Sequence, residues 1–143
     1  MTNVLGRPLR ILVAEDDALI AFDLVDALEM FGCVAAGPVA TVKAALEHAD
    51  DPANAIDGAL LDLDLRGQRS YPVAAALIRR NIPFAFTSGY GIEAVEADFR
   101  AHSCLVKPIN RSDLLAVLRG FLGPTTVAAG APQDPAGPDA LGG

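Results

Sequence analysis

Short apolar runs that end in polar side chains recur along this chain, and they constrain its fold more than any other feature. The runs are the segments 11–14, 58–61, 84–87 and 104–106. Their length and their aliphatic content predict buried strands of a parallel sheet, and the segments between them carry the spacing of amphipathic helices. Strands that alternate with helices predict an α/β fold with right-handed crossover connections.

The predicted elements alternate from the first strand to the last helix. Strands are expected over residues 10–14, 33–36, 58–63, 84–88 and 103–106. Helices are expected over residues 18–31, 41–49, 72–80 and 110–122, with a weakly patterned helical segment over 92–99. This order predicts a flavodoxin-like, doubly wound, five-stranded parallel sheet with strand order 2-1-3-4-5 and helices on both faces.

The domain organisation follows from the composition. The chain has 143 residues, of which 52% are hydrophobic and 20% charged, so one folded domain is expected. We place this domain at residues 9–123, after an N-terminal extension at 1–8. Residues 124–143 are rich in Pro, Ala and Gly and are expected to be disordered, because they lack the apolar side chains that offset the entropy of ordering.

The charge argues against two classes of partner. A net charge of -7 disfavours nucleic acid and anionic membrane surfaces, both of which recruit clustered Lys and Arg. No run approaches the ~18 apolar residues of a membrane span, and the N-terminus lacks the apolar core of a secretory signal. A cytoplasmic location is therefore expected. In that setting Cys33 and Cys104 are expected to be unpaired.

Chemically active side chains follow the predicted strands at the points where they end. Glu15 and Asp16 follow the first strand, and Asp62 closes the apolar run of the third. Ser88 ends the fourth strand, and Lys107 follows the fifth. The carboxyl ends of parallel strands meet at one edge of the sheet, where ligands bind in open α/β folds. Carboxylate oxygens are the ligands that Mg2+ prefers. The sequence therefore predicts a site for Mg2+ and a phosphoryl group at this edge.

Each residue has a predicted role in phosphoryl transfer. A free oxygen of Asp62 can attack phosphorus and form an aspartyl phosphate. Mg2+ and Lys107 would neutralise charge on the transferring group, and Ser88 would donate a hydrogen bond to a phosphoryl oxygen. Arg66 and Arg69 flank the site and are expected to be solvated.

Residues 9–122 resemble the receiver domain of two-component response regulators. Glu15 and Asp16 match the acidic pair of that family, Asp62 its phosphoacceptor, Ser88 its Ser/Thr switch position, and Lys107 with Pro108 its Lys-Pro pair. The resemblance implies Mg2+ as cofactor, with Glu15, Asp16, Asp62 and the backbone carbonyl of Asp64 as its ligands.

The segment 83–91 is similar to the FATGUY subgroup of receivers, typically small regulators of alphaproteobacteria. Thr87-Ser88 stands where that subgroup has Ala-Thr, and the strand alternation favours Ser88 as the switch residue. The resemblance implies a sensor histidine kinase of the HWE or HisKA2 type as partner. Cys104 stands where many receivers have Tyr or Phe, so output is expected to use the order of the region around 92–99 rather than an aromatic flip.

The resemblance implies a stand-alone regulator and not an enzyme. A histidine kinase or phosphotransfer protein would phosphorylate Asp62, and the chain would signal by binding a partner or act as a phosphate sink. Two alternatives remain open. Asp62-Leu63-Asp64 resembles the Asp-x-Asp of haloacid-dehalogenase-type phosphatases, with Asp62 as nucleophile and Asp64 as general acid. In the second alternative, the chain is a degenerate receiver that serves as a binding module.

Overall fold

A computed structural model of the chain describes residues 8–123, except the side chain of residue 92, and the backbone of residues 137–138 and 141–142. The strands are β1 (Arg10–Ala14), β2 (Val34–Val39), β3 (Gly58–Asp62), β4 (Asp64–Leu65), β5 (Gln68–Arg69), β6 (Phe84–Ser88), β7 (Ser103–Val106), β8 (Gly137–Pro138) and β9 (Leu141–Gly142). The α-helices are α1 (Ala18–Met30), α2 (Val42–Ala49), α3 (Tyr71–Arg79) and α4 (Arg111–Leu122). Two short 3-10 helices, Ile92–Ala94 and Ala97–Phe99, lie between β6 and β7.

Five strands form one parallel sheet in the order β2-β1-β3-β6-β7. Since β6 and β7 are the fourth and fifth strands of this sheet, the predicted order 2-1-3-4-5 is confirmed. Every residue of the central strand β3 is buried, as expected for a parallel strand that is covered on both faces.

The core consists of two apolar layers, one on each face of the sheet. Leu61 and Phe86 belong to the layer that includes side chains of α2 and α3. Leu60 belongs to the opposite layer, together with Leu28 of α1 and Leu118 of α4. Neighbouring residues of one strand, Leu60 and Leu61, thus serve opposite layers, because successive strand side chains point to opposite faces. The predicted helices on both faces are confirmed.

Polar side chains cap three of the helices. Asp17 Oδ1 accepts hydrogen bonds from the backbone N–H groups of Leu19 and Ile20 at 2.9 and 3.2 Å. Thr41 and Asn110 cap α2 and α4 in the same way. Each cap satisfies N–H groups that have no partner inside the helix, which explains why these helices begin where they do.

The second strand extends further than predicted, through Gly37 and Pro38 to Val39. Gly37 has a φ of 94°, and the pairing register with β1 shifts between Leu12 and Ala14. The irregularity absorbs the two residues, and the backbone N–H of Glu15 still donates to the carbonyl of Val39 at 2.9 Å. Proline is tolerated here because β2 is an edge strand.

Two connections also differ from their predicted form. The predicted loop after the third strand contains the antiparallel hairpin of β4 and β5. The predicted helical segment over 92–99 consists of the two 3-10 helices, without a full α-helical turn. Strands of two residues and helices of three are too short to leave a periodic pattern in the sequence.

The structure describes few residues at the two ends of the chain. The predicted extension at 1–8 lies outside the described residues except for Pro8, and so does the tail at 124–143 apart from β8 and β9, which pair with each other. Across the described ranges, no helix has the length and apolar content to cross a membrane. Cys33 and Cys104 are both free thiols.

Candidate functional site

The acidic residues at the ends of β1 and β3 come together at one edge of the sheet. The two strands are neighbours, and Ala14 pairs with Leu61, so the residues that follow them lie side by side. Glu15, Asp16 and Asp62 each place one carboxylate oxygen within 4.8 Å of the others. Glu15 and Asp62 are buried and Asp16 is exposed. The structure therefore assembles the three carboxylates that the sequence predicted as metal ligands.

Lys107 bridges two of these carboxylates. Its Nζ lies 2.9 Å from Glu15 Oε1 and 2.9 Å from Asp62 Oδ2. The backbone N–H of Lys107 donates to the carbonyl of Ser88 at 2.8 Å, which fixes the lysine beside the end of β6. The ammonium group thus offsets part of the negative charge that the convergence of the strands creates.

Backbone N–H groups hold one oxygen of each carboxylate. They donate from Asp17 to Glu15 Oε2 at 3.0 Å, from Arg66 to Asp16 Oδ2 at 2.8 Å and from Asp64 to Asp62 Oδ1 at 3.1 Å. Hydrogen bonds to an ionised acceptor are stronger than neutral ones, so these contacts orient the carboxylates well.

The site opens into a cleft of about 360 Å³. Ser88 lines this cleft, and its Oγ accepts a hydrogen bond from the backbone N–H of Tyr90 at 3.1 Å. Thr87 is buried and does not line the cleft, and its hydroxyl oxygen has no hydrogen-bond partner among the described residues. Of the two adjacent hydroxyl residues, only Ser88 lines the cleft, and its role as the switch residue stays a prediction.

The crowding of charge shifts the pKa values of three groups. Burial raises the pKa of Glu15 to about 7, and Asp62 adds to this effect while contact with Lys107 opposes it. Burial acts to lower the pKa of Lys107, but its contacts with the two carboxylates outweigh that effect and raise it. Burial acts to raise the pKa of Asp16, but hydrogen bonds, led by the one from the backbone N–H of Arg66, and the charge of Lys107 together outweigh that effect and lower it.

The donor set fits a hard divalent cation. All three side chains offer carboxylate oxygens, the ligand type that Mg2+ takes in proteins. The buried Glu15 Oε1 faces Lys107 without the geometry of a hydrogen bond, so this oxygen keeps lone-pair capacity for a cation. Asp64 lines the same cleft, and the use of its backbone carbonyl as a further ligand stays a prediction.

Two further residues at the cleft have no role in the prediction from sequence, although Arg69 was expected to flank the site as a solvated side chain. Arg69 and Tyr90 both line it. Arg69 arrives there through the β4–β5 hairpin, for which the only sequence signal is Gly67 at the turn. Tyr90 is 86% exposed, and nothing in the apolar pattern distinguishes it from an ordinary surface aromatic.

Among solved structures, the chain is similar to SdrG from Sphingomonas melonis Fr1, with 40% identity, a TM-score of 0.71, and coverage of 80% of this chain and 96% of that one. It is also similar to the BeF3-activated conformation of SdrG from Pseudomonas melonis Fr1, with 39% identity, a TM-score of 0.66, and coverage of 83% and 99%. A response regulator receiver protein from Sinorhizobium medicae WSM419 is 23% identical, with a TM-score of 0.71 and coverage of 82% and 96%, and shares the fold. No protein-family model and no curated protein matches the chain.

Proposed function

The chain belongs to the response regulator receiver family, and from this premise we propose that it accepts a phosphoryl group on Asp62 with Mg2+ as cofactor. The observation that carries the proposal is the convergence of Asp62 with Glu15, Asp16 and Lys107 at the carboxyl ends of β1 and β3. These groups lie far apart in the sequence, and a purely structural role would not require three carboxylates in contact range. Such an arrangement suits a signalling domain that modifies itself rather than a classical enzyme.

The residues have complementary roles in the proposed transfer. A carboxylate oxygen of Asp62 attacks phosphorus, and the bond from phosphorus to the donor histidine nitrogen breaks with its electron pair left on that nitrogen. Lys107, already 2.9 Å from Asp62 Oδ2, offsets negative charge on the phosphoryl oxygens. When bound, Mg2+ supplies further positive charge to the same oxygens. Glu15 and Asp16 hold the cation, and the hydroxyl of Ser88 donates to a phosphoryl oxygen.

The proposed donor is a sensor histidine kinase or a phosphotransfer protein. The segment 83–91 supports assignment to the FATGUY subgroup and, with it, a kinase of the HWE or HisKA2 type. We place the transfer in the cytoplasm as part of the same proposal. The domain that carries it is residues 9–123, flanked by an extension at 1–8 and a Pro-, Ala- and Gly-rich tail at 124–143.

Acetyl phosphate provides the direct test. With Mg2+ present, intact mass spectrometry should show an alkali-labile phosphoryl adduct on the wild-type protein and none on Asp62→Asn. Asp64→Asn is the matched control, because it changes an acid of the same cleft and should keep the adduct. An adduct that persists in Asp62→Asn contradicts the proposal.

The output is proposed to be partner binding, or the draining of phosphate from a kinase, with the segment 89–102 as the part that responds. Ser88 Oγ accepts the N–H of Tyr90, so movement of this hydroxyl toward a phosphoryl group would release the start of that segment. SdrG has been captured in a BeF3-activated conformation, and the same reagent can be used here. Hydrogen exchange over 89–102 should differ with and without Mg2+ and BeF3−; equal protection would contradict this output.

One observation supports the phosphatase hypothesis, because Asp62 and Asp64 line the same cleft. It predicts steady turnover of a phosphomonoester such as p-nitrophenyl phosphate that Asp64→Asn abolishes. The receiver proposal predicts no such turnover. A binding module would instead retain its partner affinity in Asp62→Asn and without Mg2+.

A further inference from the structure

A short hairpin carries an arginine to the rim of the cleft. In the pairing of β4 with β5, Asp64 lies opposite Arg69, and the connecting residues Arg66 and Gly67 have φ values of 50° and 84°. Positive φ at both residues of a two-residue loop is the signature of a tight type I′ turn. Because the turn is tight and paired, the position of Arg69 relative to Asp64 is well defined.

The hairpin is fastened to the acidic site at its first strand and at its turn. The backbone N–H of Asp64 donates to Asp62 Oδ1 at 3.1 Å, and the N–H of Arg66 donates to Asp16 Oδ2 at 2.8 Å. These two acceptors belong to the predicted phosphoacceptor and to a predicted metal ligand. The hairpin is therefore held in register with the groups that would bind Mg2+ and the phosphoryl group.

Two cationic side chains line the cleft, and they differ in what they contact. Lys107 is engaged by both Glu15 and Asp62 at 2.9 Å. The side chain of Arg69 has no hydrogen bond and no ion pair with any described residue. Arg69 lines a cleft whose other charged side chains include Asp16, Asp62 and Asp64, yet none of the described carboxylates forms an ion pair with it.

We propose that Arg69 is an anion-binding residue that contacts the phosphoryl oxygens of the donor and of phosphorylated Asp62. This inference rests on the proposed function. A guanidinium presents a planar fork of donors that matches phosphate oxygens and stays charged at any working pH. An arginine without a carboxylate partner has its donors free for an incoming dianion, whereas Lys107 must exchange contacts it already makes. Arg69 thereby raises affinity for the anion and, being a cation itself, does not contribute to binding of the metal.

Arg66 provides a matched control on the same hairpin. Its side chain is exposed and also has no described partner, but it does not line the cleft. Arg66→Gln and Arg69→Gln remove the same charge three positions apart. The backbone N–H of Arg66, which binds Asp16, is present in both variants.

The test titrates Mg2+ alone and then BeF3− in saturating Mg2+, with calorimetry and melting temperature as readouts, and measures the rate of phosphorylation by acetyl phosphate. Arg69→Gln should weaken BeF3− binding and slow phosphorylation by roughly three- to tenfold, as for a charge-assisted hydrogen bond partly exposed to water. Its Mg2+ affinity should be unchanged or raised. Arg66→Gln should match wild type, and Arg69→Lys should fall between wild type and Arg69→Gln.

Three results would overturn parts of this scheme, and they are distinguishable. If Arg69→Gln binds BeF3− as tightly as Arg66→Gln, the anion-binding role is wrong. If Arg69→Gln loses Mg2+ and BeF3− affinity together, the residue acts on the structure of the site and the inference is also wrong. If wild type takes no phosphoryl group, or Asp62→Asn takes it equally well, the proposed function itself fails.

Discussion

The two sides of the cleft are built in different ways. The β1–β3 edge, which carries Glu15, Asp16 and Asp62, follows two strands that are buried except at Arg10 and that pair continuously along the backbone. The segment 89–102, which connects β6 to β7, has two 3-10 helices and is fastened by side chains. Tyr71 Oη accepts the N–H of Glu96 at 2.8 Å, and Arg100 Nε donates to the carbonyl of Val95 at 2.7 Å.

This difference separates a rigid acidic side from a side that can open at low cost. Strand pairing and core burial resist local opening, whereas a segment held by a few side chains opens with a smaller free energy. The carboxylates must stay fixed to hold a cation, and the segment that follows Ser88 must be free to change. The construction of each side suits the role proposed for it.

The largest contrast should appear in core truncations. Leu60 is fully buried in β3, and Leu60→Ala should lower the free energy of unfolding by about 2–5 kcal/mol, because it leaves a cavity in the central strand. Val95 is a buried apolar side chain of the 89–102 segment, and Val95→Ala should cost about half as much, since fewer methyl groups leave the core. Urea unfolding measures both, and an equal loss would contradict the contrast.

The acidic side should also make stability depend on pH. Burial raises the pKa of Glu15 from 4.5 to about 7, so the folded protein binds more protons than the unfolded chain between these values. In the metal-free protein the free energy of unfolding should therefore fall as pH rises from about 4.5 to 7. The upper limit of this fall is about 1.4 kcal/mol for each unit by which the folded and unfolded pKa values differ.

Two comparisons check this pH effect by thermal unfolding. Saturating Mg2+ should flatten the fall, because it stabilises the charged form of Glu15, and Glu15→Gln should remove that residue's part of it. A metal-free profile that rises over the same pH range would contradict the buried, crowded state of this carboxyl group.

Removal of the Tyr71 hydroxyl should loosen only the segment 89–102 and leave the acidic side of the cleft unchanged. Tyr71→Phe deletes the acceptor for the Glu96 N–H but keeps the ring that stacks on Phe99 at 4.8 Å. A lost hydrogen bond of this kind costs about 1 kcal/mol. Hydrogen exchange should accelerate at residues 92–99 and stay unchanged in β1 and β3; faster exchange throughout the sheet would show that the two sides are not independent.

The smallest effect is expected at Tyr90. Its side chain is 86% exposed, and Tyr90→Ala keeps the backbone N–H that binds Ser88. The free energy of unfolding should change by less than about 0.5 kcal/mol, as for surface positions without a special contact. A larger loss in denaturant unfolding would mean that the segment depends on this ring for its structure.

The sheet was predictable because its signals are local. Leu60 and Leu61 lie in a run that is apolar on both faces, and such runs between helical patterns indicate buried parallel strands. The β2 strand was shortened in the prediction because Gly37 and Pro38 normally interrupt strands. Both residues are accommodated here by an irregularity in the pairing of β2, which is an edge strand, and the local sequence does not show which strand lies at the edge.

The residues of the candidate site were predictable for a second reason, which is the rule that strand ends share one edge. This rule predicted that Asp62 and Lys107 lie close together, and the structure places Lys107 Nζ 2.9 Å from Asp62 Oδ2. It could not give Arg69 a role, because the two-residue strand of this arginine has no periodicity, and so Arg69 was expected to flank the site as a solvated side chain. The functional roles assigned to all of these residues stay predictions.

By itself, the sequence determined the order of strands and helices and which acidic and basic residues stand at the strand ends, because periodicity and punctuation are properties of neighbouring residues. Only the tertiary structure decided that Arg69 lines the cleft, that Lys107 spans two carboxylates, and that 92–99 forms 3-10 turns. Those outcomes depend on distances between segments far apart in the chain. Burial, side-chain reach and competing hydrogen-bond partners set such distances, and no local pattern encodes them.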